Sequence, residues 1–274
     1  MIITTSSRMT ESLENEALGL AEELHLEYVV RNKRSLAKLQ ALYGDVLLVT
    51  KEGLVLEYAN GQSFAFHPDT AMLRIKAPRD PLMDLVGTEK RSVLDTTMGL
   101  ASDSIVLSFA GHEVMALESQ PLIHTIVARG LQTFDAGNSA VNQAMRRIQT
   151  RCTDSLTFLK SQPDQSVDII YCDPMFSEVI TESENLSGLK PLANYQAFSE
   201  DFLAECKRVA REKIILKAHF RDPVFENFGF TRHIRPYQKF HFGDIRLEEK
   251  MEARNRVKRM EDIFQRQLDV MDAL

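Results

Sequence analysis

Apolar and polar residues alternate along residues 1–66 in a pattern that predicts short strands separated by amphipathic helices. Apolar runs with the length of strands lie at residues 2–3, 27–30, 46–49, 54–58 and 63–66. In the two intervals between the first three runs, apolar residues recur with the period of a helix. Ser35 and Gly44 are suited to begin and end the second helix. The predicted order is β-α-β-α-β-β-β.

From residue 92 onwards the alternation becomes more regular. Strands are predicted at residues 92–95, 112–118, 167–173 and 213–217, with a closing antiparallel pair at 230–236 and 239–247. Helical patterns fill the intervals, and strands that alternate with helices form a parallel sheet. The predicted fold class is therefore α/β, with a doubly wound, mostly parallel sheet and a smaller N-terminal α/β domain.

These patterns divide the chain into four segments. Residues 1–76 form the predicted accessory domain, and a proline-containing linker at 77–91 joins it to the larger domain at 92–247. Residues 248–274 are predicted to form one charged C-terminal helix with an incomplete apolar stripe. This helix either packs one face on the body or forms a homodimer or another partner contact.

Composition narrows the class of protein. The chain has 274 residues, 44% hydrophobic and 26% charged, which are values of a folded globular protein. No apolar run approaches the ~20 residues of a membrane helix, and no basic segment followed by an apolar one opens the chain. We therefore expect no membrane association and a cytoplasmic location. The cysteines form no CxxC pair and no HExxH motif occurs, so no metal site is predicted.

The formal net charge of −6 argues against a protein that coats nucleic acid through bulk charge. It is compatible with a nucleic-acid enzyme that has a local basic face. One candidate group lies in and beside the small domain: Arg31, Lys33, Arg34, Lys38, Arg74 and Lys76. A second lies near the closing strand pair: Arg232, Arg235 and Lys239. A solvated surface explains each group equally well.

Acidic residues end successive predicted strands of the larger domain. Asp95 ends the strand at 92–95, Glu118 the strand at 112–118 and Asp173 the strand at 167–173. In an open parallel sheet the ligand binds outside the carboxyl ends of the strands. Gly99 allows a close turn after Asp95, and the next helix presents free N–H groups there. Glu118 is suited to accept hydrogen bonds from two ribose hydroxyls.

A cofactor that contains adenosine but no pyrophosphate suits this pattern. Asp154 and Ser155 follow a later helix, at a position where an adenine amino group can be recognised. A nicotinamide cofactor would require a Gly-x-Gly-x-x-Gly fingerprint, of which one glycine is present, and no Walker motif occurs. S-adenosylmethionine (SAM) meets the description, and we predict it as the cofactor.

Four motifs contain these residues: Asp95-Thr96-Thr97-Met98-Gly99-Leu100-Ala101-Ser102-Asp103, Glu118-Ser119, Asp154-Ser155 and Asp173-Pro174-Met175-Phe176. Together they resemble the class I SAM-dependent methyltransferases, whose fold is Rossmann-like. More narrowly, residues 64–220 resemble the bacterial family that methylates the exocyclic amino group of a guanine in small-subunit ribosomal RNA. That family often has Gly-Leu-Gly-Arg-Asp where this chain has Gly99 to Asp103.

The resemblance implies an N-methyltransferase whose partner is ribosomal RNA or the small ribosomal subunit. It implies cofactor contacts at Ser102, Asp103, Glu118, Ser119, Asp154, Ser155 and Asp173, in addition to Asp95 and Gly99 from the strand-end argument.

The same residues suit methyl transfer to an aromatic amine, which is a poor nucleophile because its lone pair is delocalised. The Asp173 carboxylate and the Pro174 carbonyl can each accept an N–H bond and localise that lone pair, and Phe176 can stack on the base. These three are the predicted catalytic residues. Methylation at C5 of a pyrimidine would instead require a cysteine nucleophile, for which Cys172 is the candidate by position.

Two other functions fit the sequence. A methyltransferase that acts on a protein amide or a small amine would need the same acceptor geometry, and it agrees with the net charge of −6. A non-catalytic cofactor-binding or ribosome-assembly protein would keep the fold without turnover. Each strand-end acid also has a purely structural interpretation as a cap, a surface acid or a strand terminator, and Phe176 has one as a core residue.

Overall fold

The structure, a computed structural model, describes residues 1–174 and 198–247, which form two β-sheets. The first sheet has the strand order β2-β1-β3-β4-β5, and its strands are β1 (Ile2–Thr5), β2 (Glu27–Tyr28), β3 (Val46–Thr50), β4 (Gly53–Glu57) and β5 (Ser63–Ala65). Helices α1 (Glu11–Leu24) and α2 (Leu36–Tyr43) connect its first three strands. Strand β1 is parallel to β2 and β3, whereas β4 is antiparallel to both of its neighbours. The predicted β-α-β-α-β-β-β order is confirmed.

The second sheet has the strand order β11-β12-β10-β9-β6-β7-β8. Its strands are β6 (Ser92–Asp95), β7 (Glu113–Glu118), β8 (Gln149–Cys152), β9 (Val167–Cys172), β10 (Ala210–His219), β11 (Thr231–His233) and β12 (Phe240–Arg246). The remaining helices are α3 (Asp69–Lys76), α4 (Pro81–Val86), α5 (Ser102–Phe109), α6 (Pro121–Thr133), α7 (Ser139–Arg147), α8 (Ser155–Ser161), α9 (Glu200–Val209) and α10 (Val224–Asn227). The strands from β10 to β8 are parallel, and β12 is antiparallel to β10 and β11. The predicted α/β class with a mostly parallel sheet is confirmed.

The direction in which strands are added reverses between β6 and β9. From β6 the chain proceeds outward through β7 to β8, and it then returns to the other side of β6 as β9 and continues to β10. Ligands of open α/β sheets bind outside the carboxyl ends of the strands at such a reversal. Asp95 is the last residue of β6 and Asp173 is the first after β9, so both lie at the expected ligand crevice.

One apolar cluster joins the two sheets through helix α6. It includes Leu56 of the first sheet and Ile126 of α6, both 1% exposed. Gly130 of α6 packs so closely on Phe66 that an added Cβ would lie 2.2 Å from the aromatic ring. The N-terminal residues and the larger sheet therefore share a core. The division of the chain at 77–91 into two domains stays a proposal.

Helices α3, α4, α8 and α10 and strand β8 are not among the elements that the sequence predicts. Helix α4 lies in the predicted linker, where Asp80 caps it and Leu82 and Val86 are buried. Helices α3 and α4 have eight and six residues, too few for a helical period to stand out. Strand β8 is a mainly exposed strand at the edge of the sheet, so it lacks an apolar run.

The predicted C-terminal helix at 248–274, and the homodimer contact expected from it, lie outside the described residues. Within residues 1–174 and 198–247, no helix combines the length and the apolar character that a membrane span requires.

Candidate active site

The loop after β6 begins at a buried carboxylate. Asp95 is 1% exposed, and its oxygens accept hydrogen bonds from the Thr97 amide at 3.0 Å and from the Ser104 hydroxyl at 2.6 Å. Burial raises the pKa of Asp95 to about 7, although both hydrogen bonds act to lower it. Asp95 therefore ties the end of β6 to helix α5 and titrates near neutral pH.

Thr96 and Thr97 connect this loop to the end of β9. The Thr97 hydroxyl accepts the backbone N–H of Asp173 at 2.7 Å. The amide and the hydroxyl of Thr96 both donate to the Tyr171 carbonyl, each at 3.0 Å. The chain segments that follow two neighbouring strands are thus fixed relative to each other, and with them the backbone that carries Asp95 and Asp173.

Asp173 and Asp103 share the ammonium group of Lys217. The Lys217 Nζ donates to Asp173 Oδ2 at 2.6 Å and to Asp103 Oδ2 at 3.2 Å. Asp103, in the first turn of α5, also binds the guanidinium of Arg74 in α3. Arg74 in turn makes two bonds to Asp80, at 2.8 and 3.1 Å. A continuous network of charged side chains therefore runs from α4 to the end of β9.

The two carboxylates that share Lys217 differ in their surroundings. Burial favours neutral Asp103, but Lys217 and Arg74 together hold the pKa of this carboxyl well below its usual range. Burial raises the pKa of Asp173, an effect that Lys217 opposes and the charge of Asp103 reinforces. The Asp173 side chain is 28% exposed and that of Asp103 10%. Asp173 is therefore the more basic and the more accessible carboxylate of the pair.

The turn between β6 and α5 uses left-handed backbone at two residues. Gly99 has φ +47° and Ala101 has φ +59°, a conformation that costs little for glycine and more for alanine. Ala101 is the N-cap of α5 and offers no side-chain acceptor. The amides of the first turn, which include those of Ser102 and Asp103, are therefore suited to a ligand with acceptor groups.

Glu118 is the last residue of β7, beside this turn. Its Oε1 accepts the Gln120 amide at 2.9 Å. Burial raises the pKa of Glu118, and the backbone N–H groups of Gln120, Gly99 and Ser119 lower it. Ser119 thus contributes a backbone amide to the position of this carboxylate, which is held on a rigid element at the carboxyl end of the sheet.

Asp154 and Ser155 lie where β8 leads into α8. Asp154 caps α8 by accepting the Thr157 amide at 2.8 Å. The Ser155 hydroxyl donates to the Thr96 carbonyl at 2.6 Å. Ser155 therefore fastens the start of α8 to the loop after β6, which brings both residues to the same end of the sheet as Asp95.

The sequence indicated the acids of this site but not the cations between them. Strand alternation places Lys217 on the same face as Ile215, and a charge on that face was a signal for a buried partner. Arg74 belongs to the predicted basic group, but its contact with Asp103 depends on how α3 packs on α5, which the sequence does not indicate. Pro174 directly follows Asp173, and Phe176 lies outside the described residues. Their predicted roles stay predictions.

The charges and hydrogen-bonding groups of the crevice suit SAM. The crevice holds the carboxylates of Asp95, Asp103 and Asp173 against the cations of Arg74 and Lys217, so negative charge is in excess when all are ionised. A ligand with a positive sulfonium compensates that excess. Glu118 and the first-turn amides of α5 add the acceptor and donors that a ribose and a carboxylate need.

Comparison with known proteins agrees with this chemistry. Residues 50–231 match the model of a family of SAM-dependent methyltransferases. The chain is 38% identical over 253 residues to the Bacillus subtilis protein YpiP, which covers 89% of this chain and 98% of that protein. It is 28% identical over 151 residues to a ribosomal RNA small subunit methyltransferase J from Buchnera aphidicola, which covers 53% of this chain and 60% of that protein.

A solved SAM-dependent methyltransferase from Neisseria gonorrhoeae shares the fold, with a TM-score of 0.57 at 17% identity over 90% of this chain and 96% of that one. The family match extends over well more than half of the chain and includes every strand-end acid described above. The protein therefore belongs to this family of SAM-dependent methyltransferases, and SAM is its cofactor.

Proposed function

We propose that this methyltransferase modifies the exocyclic amino group of a guanine in small-subunit ribosomal RNA. The RNA substrate is supported by relatives that carry the name ribosomal RNA small subunit methyltransferase J, at 28–36% identity to about half of this chain. The amino-group target is supported by Asp173-Pro174 at the reversal of strand order.

The cofactor supplies a methyl group on a positively charged sulfur. Glu118 at the end of β7 is the proposed acceptor for the ribose hydroxyls, and Asp154 and Ser155 at the start of α8 lie where the adenine is expected. The first-turn amides of Ser102 and Asp103 are proposed to hold the remaining polar groups. These residues bind and orient, because an in-line displacement depends mainly on positioning and electrostatics.

The observation that carries the proposal is the geometry around the Asp173 carboxylate. Lys217 holds Oδ2 at 2.6 Å, and Oδ1 can accept an N–H of the target amine. Such a bond localises the amine lone pair, and it strengthens as the nitrogen becomes more positive. Because the pKa of Asp173 is raised, this carboxylate is also suited to take the proton that the nitrogen loses. The Pro174 carbonyl and the Phe176 ring are proposed as the second acceptor and the stacking surface.

A single-turnover assay with saturating cofactor and small-subunit ribosomal RNA tests this role. Asp173→Asn keeps the size of the side chain, and Lys217 keeps its bond to Asp103, so we expect a folded protein. Methyl transfer should fall at least about a hundredfold, the usual cost of losing one preorganised partner. Asp164→Asn, which changes a 75% exposed aspartate away from the crevice, is the matched control. Transfer by Asp173→Asn within about threefold of the wild type would overturn the mechanism.

The substrate needs a separate experiment. A methyltransferase that acts on a protein amide or a small amine is the second candidate, favoured by the net charge of −6. Mass spectrometry of ribosomal RNA nucleosides should show the loss of one N2-methylguanosine in cells that lack the gene. Loss of a different methylated nucleoside would exclude the guanine amino group. An unchanged RNA profile would favour the second candidate or a non-catalytic role.

A further inference from the structure

Aromatic and basic side chains crowd together beside the active site, where β10 ends and the hairpin of β11 and β12 turns. We call residues 219–221 and 235–240 the hairpin rim. Two of its aromatic side chains reach solvent, because Phe220 is 37% exposed and Tyr237 is fully exposed. Exposed aromatic rings are available to stack on a ligand.

Three rings of the rim, those of His219, Phe220 and Phe240, lie next to one another. The ring centroids of His219 and Phe220 are 4.7 Å apart, and those of His219 and Phe240 are 6.2 Å apart. The Arg221 guanidinium lies over the Phe220 ring at 5.1 Å. Aromatic rings and guanidinium planes are the groups on which unpaired bases stack.

This surface is continuous with the catalytic carboxylate. The Phe240 ring lies 5.7 Å from the Lys217 Nζ, and the same Nζ donates to Asp173 at 2.6 Å. His219 follows Lys217 by two positions on β10, so the two side chains project from the same face of the strand. The rim therefore begins next to the side chains that surround Asp173.

The rim is also positive within a negative protein. The hairpin rim contains three basic residues, Arg221, Arg235 and Lys239, and no acidic residue, whereas the whole chain has a net charge of −6. Two acids lie in the sequence between the two parts of the rim and have structural roles: Asp222 accepts the Val224 amide at the start of α10, and Glu226 pairs with Arg232 at 3.2 Å. Positive charge is the sign that phosphates require.

We propose that the hairpin rim binds single-stranded RNA on one side of the target nucleotide. Bases next to the target stack on Phe220 and Tyr237, and Arg221 contacts their phosphates. The rim should bind single-stranded RNA in preference to a duplex, because an aromatic side chain can stack on a base only when that base is not already stacked within a helix. This inference rests on the proposed RNA substrate and names the surface of the protein that receives it.

Fluorescence anisotropy of the full chain tests the proposal, with a labelled single-stranded RNA of about 15 nucleotides and the same RNA in a blunt duplex. Phe220→Ala and Tyr237→Ala should each weaken binding of the single strand about tenfold, the effect of one lost stack. Phe109→Ala is the matched control, because this ring is 39% exposed at the far end of α5 and should have no effect. Between roughly 50 and 200 mM salt, the logarithm of the RNA affinity falls with the logarithm of the salt concentration. Arg221→Gln should reduce the slope of this dependence by the amount that corresponds to about one lost phosphate contact.

Calorimetry with SAM separates a loss of RNA binding from a loss of folding, since all these variants should bind the cofactor like the wild type. If Phe220→Ala and Tyr237→Ala bind the RNA as the wild type does while the wild type methylates it, the rim is not the RNA surface and the proposed function stands. If the wild type binds the duplex as well as the single strand, the stacking role is wrong. If the wild type neither binds nor methylates RNA, and the rim variants instead lose a protein substrate, both proposals fail.

Discussion

The Lys217 Nζ lies 2.6 Å from Asp173 Oδ2, and this single contact joins the ends of β10 and β9 at the centre of the proposed active site. Its second bond, to Asp103 at 3.2 Å, brings the start of α5 to the same point. Both partners are largely buried, with 22% of the lysine side chain exposed. The pair therefore supports the fold as well as the position of the carboxylate proposed to be catalytic.

We predict that Lys217→Gln lowers the free energy of unfolding by about 1–3 kcal/mol at pH 8, because it leaves a partly buried carboxylate without its cation. The loss should be much smaller at pH 5.5. Without Lys217 the pKa of Asp173, already raised by burial, rises further, and protonation removes the cost of an unpaired charge. Urea unfolding at the two pH values measures the difference.

Lys213→Gln is the control for this experiment. Lys213 lies on the same strand, and its Nζ donates to the Leu85 carbonyl at 2.8 Å rather than to a carboxylate. Its effect on stability should be equal at pH 5.5 and pH 8. A loss for Lys217→Gln that is likewise independent of pH would show that the lysine contributes through packing and not through Asp173.

Glu118→Gln should weaken SAM binding by about 1–3 kcal/mol, because the charge-assisted bonds proposed between Glu118 and the ribose hydroxyls would be replaced by neutral ones. Calorimetry measures this change. Glu113→Gln is the control, since Glu113 begins the same strand and its 69% exposed side chain pairs with Lys90 at the opposite end of the sheet. Equal affinities for the Glu118→Gln and wild-type proteins would remove Glu118 from the cofactor site.

Asp95 should make the stability of the protein depend on pH. Its pKa is about 7 in the folded state, above the ordinary value of 3.8, so the folded protein retains a proton that the unfolded chain has lost. Stability from this group is therefore full at low pH and falls as the pH rises toward 7. We expect the wild type to lose about 2–3 kcal/mol relative to Asp95→Asn between pH 5 and pH 8.

Asp168 provides a control, because its pKa is shifted in the opposite direction to that of Asp95. Its bonds to Ser92 and Arg211 hold its pKa at about 2 against the effect of burial, so its stabilisation is complete above the ordinary aspartate pKa and is lost only in strong acid. Asp168→Asn should therefore destabilise the protein equally at pH 5 and pH 8. If the free energies of unfolding of the wild type and of Asp95→Asn differ by the same amount at pH 5 and at pH 8, Asp95 does not titrate in that range.

The strand-end acids were predictable because their position depends only on where each apolar run stops. Asp95, Glu118 and Asp173 all occur at the carboxyl ends of strands, as the sequence indicated. The bonds of Lys217 and Arg74 were not predictable, since they depend on how β10 and α3 pack around Asp103. The periodicity of the sequence indicates the direction in which a side chain points from its own helix or strand. It does not indicate which other helix or strand packs against that side chain.

The shared core between the two sheets leads to a last prediction, at Gly130. This glycine lies inside helix α6, where alanine is favoured by about 1 kcal/mol from helix propensity alone. An added Cβ would lie 2.2 Å from the Phe66 ring, so the two elements must separate to admit it. Gly130→Ala should therefore destabilise the protein by about 1–3 kcal/mol through overpacking, and differential scanning calorimetry should record a lower Tm.

Gly19→Ala tests whether contact with Phe66, rather than the loss of a helical glycine, causes that effect. Gly19 lies inside α1 with no other atom within 4 Å of an added Cβ, so alanine there should stabilise the protein by up to about 1 kcal/mol. The double variant Gly130→Ala with Phe66→Leu should recover part of the stability that Gly130→Ala loses, because a smaller side chain then faces the new methyl group. If Gly130→Ala and Phe66→Leu instead change the free energy of unfolding additively, α6 does not pack on Phe66. Other contacts would then join the N-terminal sheet to the methyltransferase sheet.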